Sequence, residues 1–241
     1  MAKIAKEQRR AFRRRAIAIR NGIAQRVPPW ARRGIDYLDM LFVDHGIFRV
    51  IYANRHKVSD GVWRSSQPAP HQIRQIARLG VRTIVNLRGE RDCGSFRLQQ
   101  QACRSHGITI EELVVKSRAV PTAAQVHEAK ALFDRIEYPM LLHCKSGADR
   151  AGLASALYLI LKQGDSVESA LDQLHARFGH FKQADTGVLD YMFERYLADN
   201  AKTPMPFMQW VDTVCDPDAL KRDFKARGWA NAIVNRVLRR E

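Results

Sequence analysis

The sequence is poor in cysteine. Its 241 residues contain four, Cys93, Cys103, Cys144 and Cys215, which form no CxxC pair and have no paired histidines at zinc-site spacing. This scarcity excludes a small disulfide-stapled fold and gives no support for a metal site. We therefore expect a reducing, cytoplasmic location in which a thiol stays free.

Long apolar runs are also missing. The longest stretch without a charged residue runs from Ala151 to Leu161, eleven residues, whereas about 20 are needed to cross a bilayer. Arg20 and Arg26 interrupt any secretory signal sequence, and no serine or threonine precedes Ser59, which is atypical of a mitochondrial transit peptide. We therefore expect the chain to stay in the cytoplasm without a membrane-spanning segment.

Acidic residues are almost absent from the beginning of the chain. Residues 1–33 contain eleven Lys or Arg and one acid, Glu7, so this arm carries +10 of the formal net charge of +15. Residues 3–27 have apolar side chains at helical spacing, with arginines on most of the other face, until Pro28 ends the pattern. The apolar positions are Phe12, Ala16, Ile19, Ile23 and Val27. We predict a basic amphipathic helical segment within residues 1–44.

Three roles stay open for this basic segment. It is either a solvated helix that packs through its apolar positions or a helix that lies on an anionic membrane surface. Binding to nucleic acid is disfavoured because Phe12 and Trp30 are the only aromatic residues before Tyr37, too few for base stacking. The stretch that follows, residues 37–56, is apolar but carries Asp39, Asp44 and Arg49, so we expect it to be packed against another surface.

From about residue 60 the sequence alternates between strand and helix patterns. Strands are predicted at "GVWRSSQP", "VRTIVNLRG", "ITIEELVV" and "PMLLHC", with helices of 10 to 15 residues between them. Thr122 and Gln125 form a capping box at the start of one helix. The pattern predicts an α/β fold with a central, mostly parallel sheet flanked by helices over residues 45–200. Residues 201–241 are predicted to form a helical, basic tail.

The stretch "LLHCKSGADRAG" places Cys144 at the end of a buried strand and Arg150 at the beginning of a helix. Ligands of open α/β sheets bind beyond the carboxyl ends of the strands. The free N–H groups of a helix N-terminus favour an anion there and favour the thiolate form of a cysteine. Gly147 permits a tight loop, and Arg150 offers a planar fork for two phosphoryl oxygens. These residues predict phosphoryl transfer through a covalent intermediate.

"HCKSGADRAG" resembles the signature loop of the cysteine-based protein tyrosine phosphatase superfamily, in its bacterial dual-specificity-like branch. "WRSSQP" and "VNLRGERD" are similar to upstream segments of the same branch. The resemblance implies a phosphomonoester phosphatase without metal or cofactor, with Cys144 as nucleophile and Arg150 as phosphate ligand. It implies that His143 hydrogen-bonds the loop and supports the thiolate. The remaining phosphate-binding positions are Lys145, Ser146, Gly147 and Ala148.

Two positions depart from this family pattern. Most members have a serine or threonine after the arginine, where a hydroxyl helps the thiolate leave in the second step, and here that residue is Ala151. Most members also carry an aspartic acid on a loop before the cysteine, and the matching segment "VVKSRAVPT" holds no acid. Asp149 is the candidate general acid, with Asp92 and Glu112 as fallbacks. Protonation of the leaving oxygen typically contributes 10²–10⁴-fold to the rate.

Several alternatives stay open from the sequence. Lys145 either reads a second anionic group of the substrate or is a solvated loop charge, and Arg64, Arg88 and Arg118 either line the pocket or lie on the surface. Cys93 and Cys103 are expected to be structural. The substrate is either a phosphoprotein or a phosphorylated lipid headgroup at the inner face of a membrane. The competing class of function is a catalytically weak, phosphate-binding scaffold on an anionic membrane surface.

Overall fold

The computed structural model describes residues 22, 27–44 and 46–238, and for residues 29–30 and 228–238 it describes the backbone alone. The basic helix predicted over residues 3–27 lies outside the described residues, apart from positions 22 and 27. The chain divides into two compact units. Unit 1 is Met1–Ala53, Pro68–Gly80 and Glu90–Thr109, and unit 2 is Asn54–Gln67, Val81–Gly89 and Ile110–Glu241.

Unit 1 is helical. Its helices are α1 (Pro29–Leu38), α2 (Ile47–Ile51), α3 (Pro70–Arg78) and α4 (Gly94–Ser105), and a single π-helical turn, Asp39–Val43, continues α1. Pro29 and Pro70 each occupy the first helical position, where the missing N–H costs nothing. Met40, Ala69 and Leu98 form a small buried apolar cluster that holds the π-helical turn against α3 and α4.

Unit 2 contains a five-stranded sheet in the order β1-β2-β5-β3-β4. The strands are β1 (His56–Ser59), β2 (Val62–Ser66), β3 (Thr83–Asn86), β4 (Thr109–Glu112, which starts at the unit boundary) and β5 (Met140–Cys144). β5 runs parallel to both of its neighbours, β2 and β3, and β1 pairs antiparallel with β2. Every residue of β5 is buried, as the uninterrupted apolar run "MLL" requires of a central strand.

The helices of unit 2 are α5 (Ala123–Arg135), α6 (Asp149–Tyr158), α7 (Val167–Ala170), α8 (Val188–Asn200), α9 (Phe207–Thr213) and α10 (Pro217–Leu238). The uncharged helix α6 follows β5 and is buried from Ala151 to Tyr158, so it forms the centre of the core with β5. None of the helices in the described part of the chain is long and apolar enough to cross a membrane.

The predicted fold class, an α/β fold with a central and mostly parallel sheet flanked by helices, is confirmed. The structure has a strand at each of the four predicted positions and adds β1. Thr122 caps α5 as expected: its hydroxyl accepts from the Gln125 N–H at 3.3 Å, and the Gln125 side chain accepts from the Thr122 N–H at 3.1 Å. The division of the chain into segments 1–44, 45–200 and 201–241 stays a prediction.

Candidate active site

Cys144 is the last residue of β5, the strand with a parallel neighbour on each side, and it is 2% exposed. Residues 145–148 form a loop, and α6 begins at Asp149, as the sequence predicts. Gly147 has φ +76°, and a Cβ there would lie 2.6 Å from the Ser66 backbone nitrogen. The loop is thus closed tightly against the end of β2, and only glycine fits at its turn.

Arg64 lies beneath this loop and is 0% exposed. Its Nη2 donates to the carbonyl oxygens of Gly147 (2.9 Å) and Ala148 (2.8 Å). Its Nη1 donates to the backbone oxygen and the side-chain oxygen of Gln173, at 2.5 and 3.0 Å. The guanidinium also stacks on the Phe178 ring, 4.1 Å from its centroid. Arg64 is therefore a buried residue that supports the loop. The sequence had left open a position lining the pocket or one on the surface, and Arg64 occupies neither.

Asn54 and Gln67 hold the first half of the loop. The Asn54 side-chain amide donates to the carbonyl oxygens of Ser146 and Phe178, both at 2.9 Å. The Gln67 backbone N–H donates to the carbonyl oxygen of Lys145 at 3.4 Å. Asn54 has φ +43°, a left-handed conformation that non-glycine residues rarely adopt and that asparagine tolerates best. This backbone geometry aims its side chain at the loop.

All four carbonyl groups between Cys144 and α6 thus accept hydrogen bonds from donors that lie behind the loop. Carbonyl oxygens held in this way cannot turn towards an anion at the mouth of the loop. The loop amides and the N-terminus of α6 are left to provide the positive end of the site, which suits a phosphoryl group. The arrangement places Cys144 directly before a loop whose amides are able to bind an anion.

Asp149, the first residue of α6, takes part in a chain of three charged groups. The His180 ring is fully buried, and its two nitrogens contact Asp149 (Nδ1 to Oδ1, 2.8 Å) and Asp190 (Nε2 to Oδ2, 2.7 Å). Burial by itself lowers the pKa of His180, but the hydrogen bonds that its ring donates to both carboxylates outweigh this effect and raise the pKa to about 9. At neutral pH His180 is therefore an imidazolium that fixes the carboxylate of Asp149.

This chain predicts a pH-dependent stability. Because the pKa of His180 is raised from 6.5 to about 9, its contribution is complete below about pH 6.5 and disappears as the pH rises through about 9. We expect the free energy of unfolding to fall by about 2–3 kcal/mol over that range. Urea unfolding at several pH values measures this fall. His180→Gln is the control, and an equally steep fall in that variant would contradict the assignment.

Arg150 lines a cleft of about 750 Å³ in unit 2 and donates through Nη1 to the Leu87 carbonyl oxygen at 3.4 Å. The segment 114–122, where relatives were expected to carry an acid, lines the same cleft. Five basic side chains and one acidic side chain are found among the described lining residues. They are Arg88, Lys116, Arg118, Arg150, Lys221 and Asp218. The cleft is therefore suited to a substrate that carries negative charge beyond a single small anion.

The other predicted residues are placed as follows. His143 is buried in β5, with Nδ1 3.4 Å from the carbonyl oxygen of Cys144, the next residue of the strand, and its role in supporting the loop and the thiolate stays a prediction. Arg88 is buried and donates to the Gln67 side chain. Arg118 is mostly exposed and lies 3.9 Å from Asp185.

The remaining predicted residues differ in burial and in partners. Lys145 and Cys93 are partly exposed, and Ser146 is exposed. Cys103 is buried among the residues of unit 1, and burial raises the pKa of its thiol to about 12, consistent with a structural role. Of the two fallback acids, Asp92 pairs with Arg97 at 2.5 Å and Glu112 accepts from Asn86 at 3.0 Å. No group of His, Cys, Asp or Glu in the described part of the chain is arranged to hold a metal ion.

Five residues of the site did not appear among the sequence-based candidates: Asn54, Gln173, His180, Asp190 and Asp218. Asn54 and Gln173 are 92 and 109 residues from the groups they contact, so no local pattern could connect them. A buried histidine between two carboxylates, such as His180, cannot be recognised from the spacing of these residues in the sequence. Asp218 is in the segment that the sequence described only as a basic tail.

Comparison with known proteins identifies the family of this chain. The family model described as "DSP-PTPase phosphatase fused to NAD+ Kinase" matches residues 51–188, which is more than half of the chain. The chain is 28% identical over 160 residues to Dual specificity protein phosphatase TpbA of Pseudomonas aeruginosa strain PAO1, covering 65% of this chain and 62% of TpbA. For TpbA of strain UCBPP-PA14 the identity is 27% over 154 residues, covering 63% and 60%.

A crystal structure of P. aeruginosa TpbA is also similar, with 21% identity, a TM-score of 0.46, and coverage of 72% of this chain and 91% of that one. The chain spans 62% of the length of the PAO1 relative and 60% of that of the PA14 relative. The matched range, residues 51–188, includes β2, β5, the loop after Cys144 and the beginning of α6.

Proposed function

This chain belongs to the family described as DSP-PTPase phosphatase fused to NAD+ kinase, and we propose that it is a phosphomonoester phosphatase working through a phospho-cysteine intermediate. The single observation that carries the proposal is the loop after Cys144. The carbonyl oxygens of its four residues all accept hydrogen bonds from Asn54, Arg64 or Gln67. A loop built in this way provides its amides to an oxyanion without reorganisation, which is the main source of rate enhancement in such sites.

In the first step of the proposed reaction, the thiolate of Cys144 attacks the phosphorus atom. The S–P bond forms and the bond between phosphorus and the leaving oxygen breaks. Asp149 passes a proton to that oxygen, and the His180 imidazolium supplies this proton to Asp149 through their 2.8 Å hydrogen bond. In the second step, water attacks phosphorus, the S–P bond breaks, and the proton of the water goes to Asp149. Arg150 and the loop amides stabilise the equatorial oxygens in both steps, and His180 fixes the orientation of the Asp149 carboxyl.

The substrate proposed for this site is a phosphomonoester that carries further negative charge. The basic side chains of the cleft support this class, since four of them line it together with Arg150 and one acidic side chain. Both phosphoproteins and phosphorylated lipid headgroups satisfy the requirement. The curated relatives are named as dual specificity protein phosphatases, which supports a phosphoprotein. The basic segment of residues 1–33 supports a lipid headgroup, because it would hold the enzyme at an anionic membrane.

The function is tested by measuring phosphate release between about pH 5 and 7.5 from a panel of phosphomonoesters. The panel contains an aryl phosphate, phosphotyrosine peptides and phosphorylated lipids in anionic vesicles. We expect release from the aryl phosphate, and a preference for either peptides or lipids that identifies the substrate class. Absence of release from every member would contradict the proposal.

A second candidate function is a phosphate-binding scaffold with little turnover. Two observations favour it: Ala151 lacks the hydroxyl that relatives use in the second step, and the segment 114–122 lines the cleft without an acid. The scaffold predicts micromolar binding of phosphorylated ligands with negligible release of phosphate. The same panel, read by calorimetric titration as well as by phosphate release, separates the two functions.

A further inference from the structure

Three charged residues of unit 1 are buried in the stretch formed by residues 38–44 and 46–51. Asp39, Asp44 and Arg49 are between 4% and 7% exposed. Arg49 Nη2 pairs with Asp44 Oδ2 at 2.8 Å, and the Ser95 hydroxyl donates to the same oxygen at 2.9 Å. The carboxylate of Asp39 accepts from the Gly94 N–H at the beginning of α4. The three charged residues therefore anchor the segment to the rest of unit 1, which explains the packed surface expected for this stretch.

Six apolar side chains of the same segment are exposed, whereas Met40 is buried against Ala69 and Leu98. Phe42 is 64% exposed, Phe48 76% and Ile51 86%. Leu38, Val43 and Ile47 are exposed as well. We call these six residues the apolar face.

Charged groups inside and apolar groups outside are the reverse of what a water-facing helix shows. Single exposed apolar residues are common and need no explanation, but a contiguous group of this kind marks a surface that binds an apolar partner. The buried charges also fix which side faces out, because Asp39 and Asp44 reach Gly94 and Ser95 with this side of the segment inside, and a buried carboxylate that lost these partners would be costly. The apolar face is therefore a fixed feature of unit 1.

The charge of the surrounding chain indicates the partner. Arg32 and Arg33 of α1 are exposed and, with Arg97 and Arg104, line a groove of about 510 Å³ in the same unit. Asp36 is the acidic residue among the described groove-lining side chains. Upstream in the sequence, residues 1–31 contain nine further Lys or Arg and one acid, Glu7. Aromatic and aliphatic side chains accompanied by arginines are the composition that binds the interface of an anionic bilayer.

We propose that the apolar face inserts into the interfacial region of an anionic phospholipid bilayer, with the arginines of α1 and α4 near the headgroups. This surface consists of described residues and is separate from the basic helix predicted over residues 3–27. The proposal does not depend on the phosphatase reaction, because every residue it uses belongs to unit 1 and every residue of the catalytic proposal belongs to unit 2.

The test is binding of the full chain to vesicles of phosphatidylcholine with and without about 30% phosphatidylglycerol. We expect the double variant Phe48→Ser/Ile51→Ser to bind the anionic vesicles at least about tenfold more weakly than wild type. The matched control is Leu79→Ser/Val214→Ser, which removes two exposed apolar side chains elsewhere and should bind like wild type. Urea unfolding of each variant reports whether the fold is intact, independently of any phosphatase activity.

A second measurement places the apolar face directly. Brominated lipids should quench the tryptophan fluorescence of Phe48→Trp more strongly than that of wild type. They should quench the fluorescence of Leu79→Trp no more strongly than that of wild type. Unchanged vesicle binding by the double variant would overturn the proposal in favour of the basic arm alone. It would also be overturned if the double variant converted a dimer into a monomer in sedimentation without losing vesicle binding, which would make the face a contact between copies of the chain.

Discussion

Replacing Cys144 by serine is expected to lower the rate of phosphate release by more than about 10³-fold while leaving the affinity for inorganic phosphate nearly unchanged. The sulfur is the one group at the end of β5 that can form the covalent intermediate, and a serine hydroxyl provides no comparable anion at neutral pH. Asn54, Arg64 and Gln67 hold the loop through hydrogen bonds to its backbone carbonyl oxygens, which the substitution leaves in place. The anion cradle should therefore survive the substitution.

The matched control for this prediction is Cys215→Ser. Cys215 is partly buried at the end of α9, and burial raises the pKa of its thiol to about 11, so it is a protonated thiol at neutral pH. We expect this variant to retain wild-type activity. Steady-state phosphate release and calorimetric binding of phosphate measure the two effects separately. If Cys144→Ser kept its activity, the phospho-cysteine mechanism would be wrong, and if wild type had none, the scaffold function would remain.

The sequence predicts the parts of this molecule that depend on neighbouring residues. The buried strand "MLLHC", the glycine at the turn of the loop and the start of α6 follow from local apolar runs, backbone freedom and helix initiation. The capping box of Thr122 and Gln125 is local in the same sense, because its two members are three residues apart. The placement of Cys144 and Arg150 at one edge of the sheet follows from these local rules together with the parallel topology.

The supports of the loop could not be predicted because they depend on distant contacts. The sequence is rich in arginine, and no pattern around Arg64 distinguishes this buried arginine from those on the surface. The pairing of Asp149 with His180 spans 31 residues and that of His180 with Asp190 spans ten, across turns with no regular period. For residues 37–56 the sequence predicted packing against another surface but not which side of the segment is buried. That side is determined by Gly94 and Ser95, which hydrogen-bond to Asp39 and Asp44 and are distant in the sequence.

Arg64→Met is expected to weaken the affinity for inorganic phosphate by about 10²-fold and to destabilise the protein by about 3–5 kcal/mol. Methionine fills a similar volume but removes the Arg64 donor from the carbonyl oxygens of Gly147 and Ala148. The Ala148 oxygen keeps the Gly152 N–H at 2.8 Å, whereas a buried acceptor that loses its donor costs about 1–3 kcal/mol. The loop can recover these hydrogen bonds only by turning its peptides, which directs carbonyl oxygens towards the bound anion. Both losses therefore come from the same two hydrogen bonds.

Arg64→Lys separates the positioning role from the charge. An ammonium keeps the positive charge but cannot reach Gln173 and both loop carbonyls together, since it lacks the planar fork. We expect intermediate stability and a phosphate affinity closer to that of Arg64→Met than to wild type. The control is Arg135→Met, whose exposed partner is Glu111, and which should change stability by less than about 1 kcal/mol.

Phosphate affinity is best measured as competitive inhibition of aryl phosphate release, at a temperature where urea titration shows each variant to be folded. If Arg64→Met bound phosphate as tightly as wild type, then the loop would keep its shape without its donor. The orientation of the carbonyl groups would then follow from the loop conformation. The steric fit of Gly147 against Ser65 and Ser66 would be sufficient to set that conformation. A loss confined to the Arg64 variants would instead show that a charge buried 83 residues away in sequence from Gly147 builds the anion site.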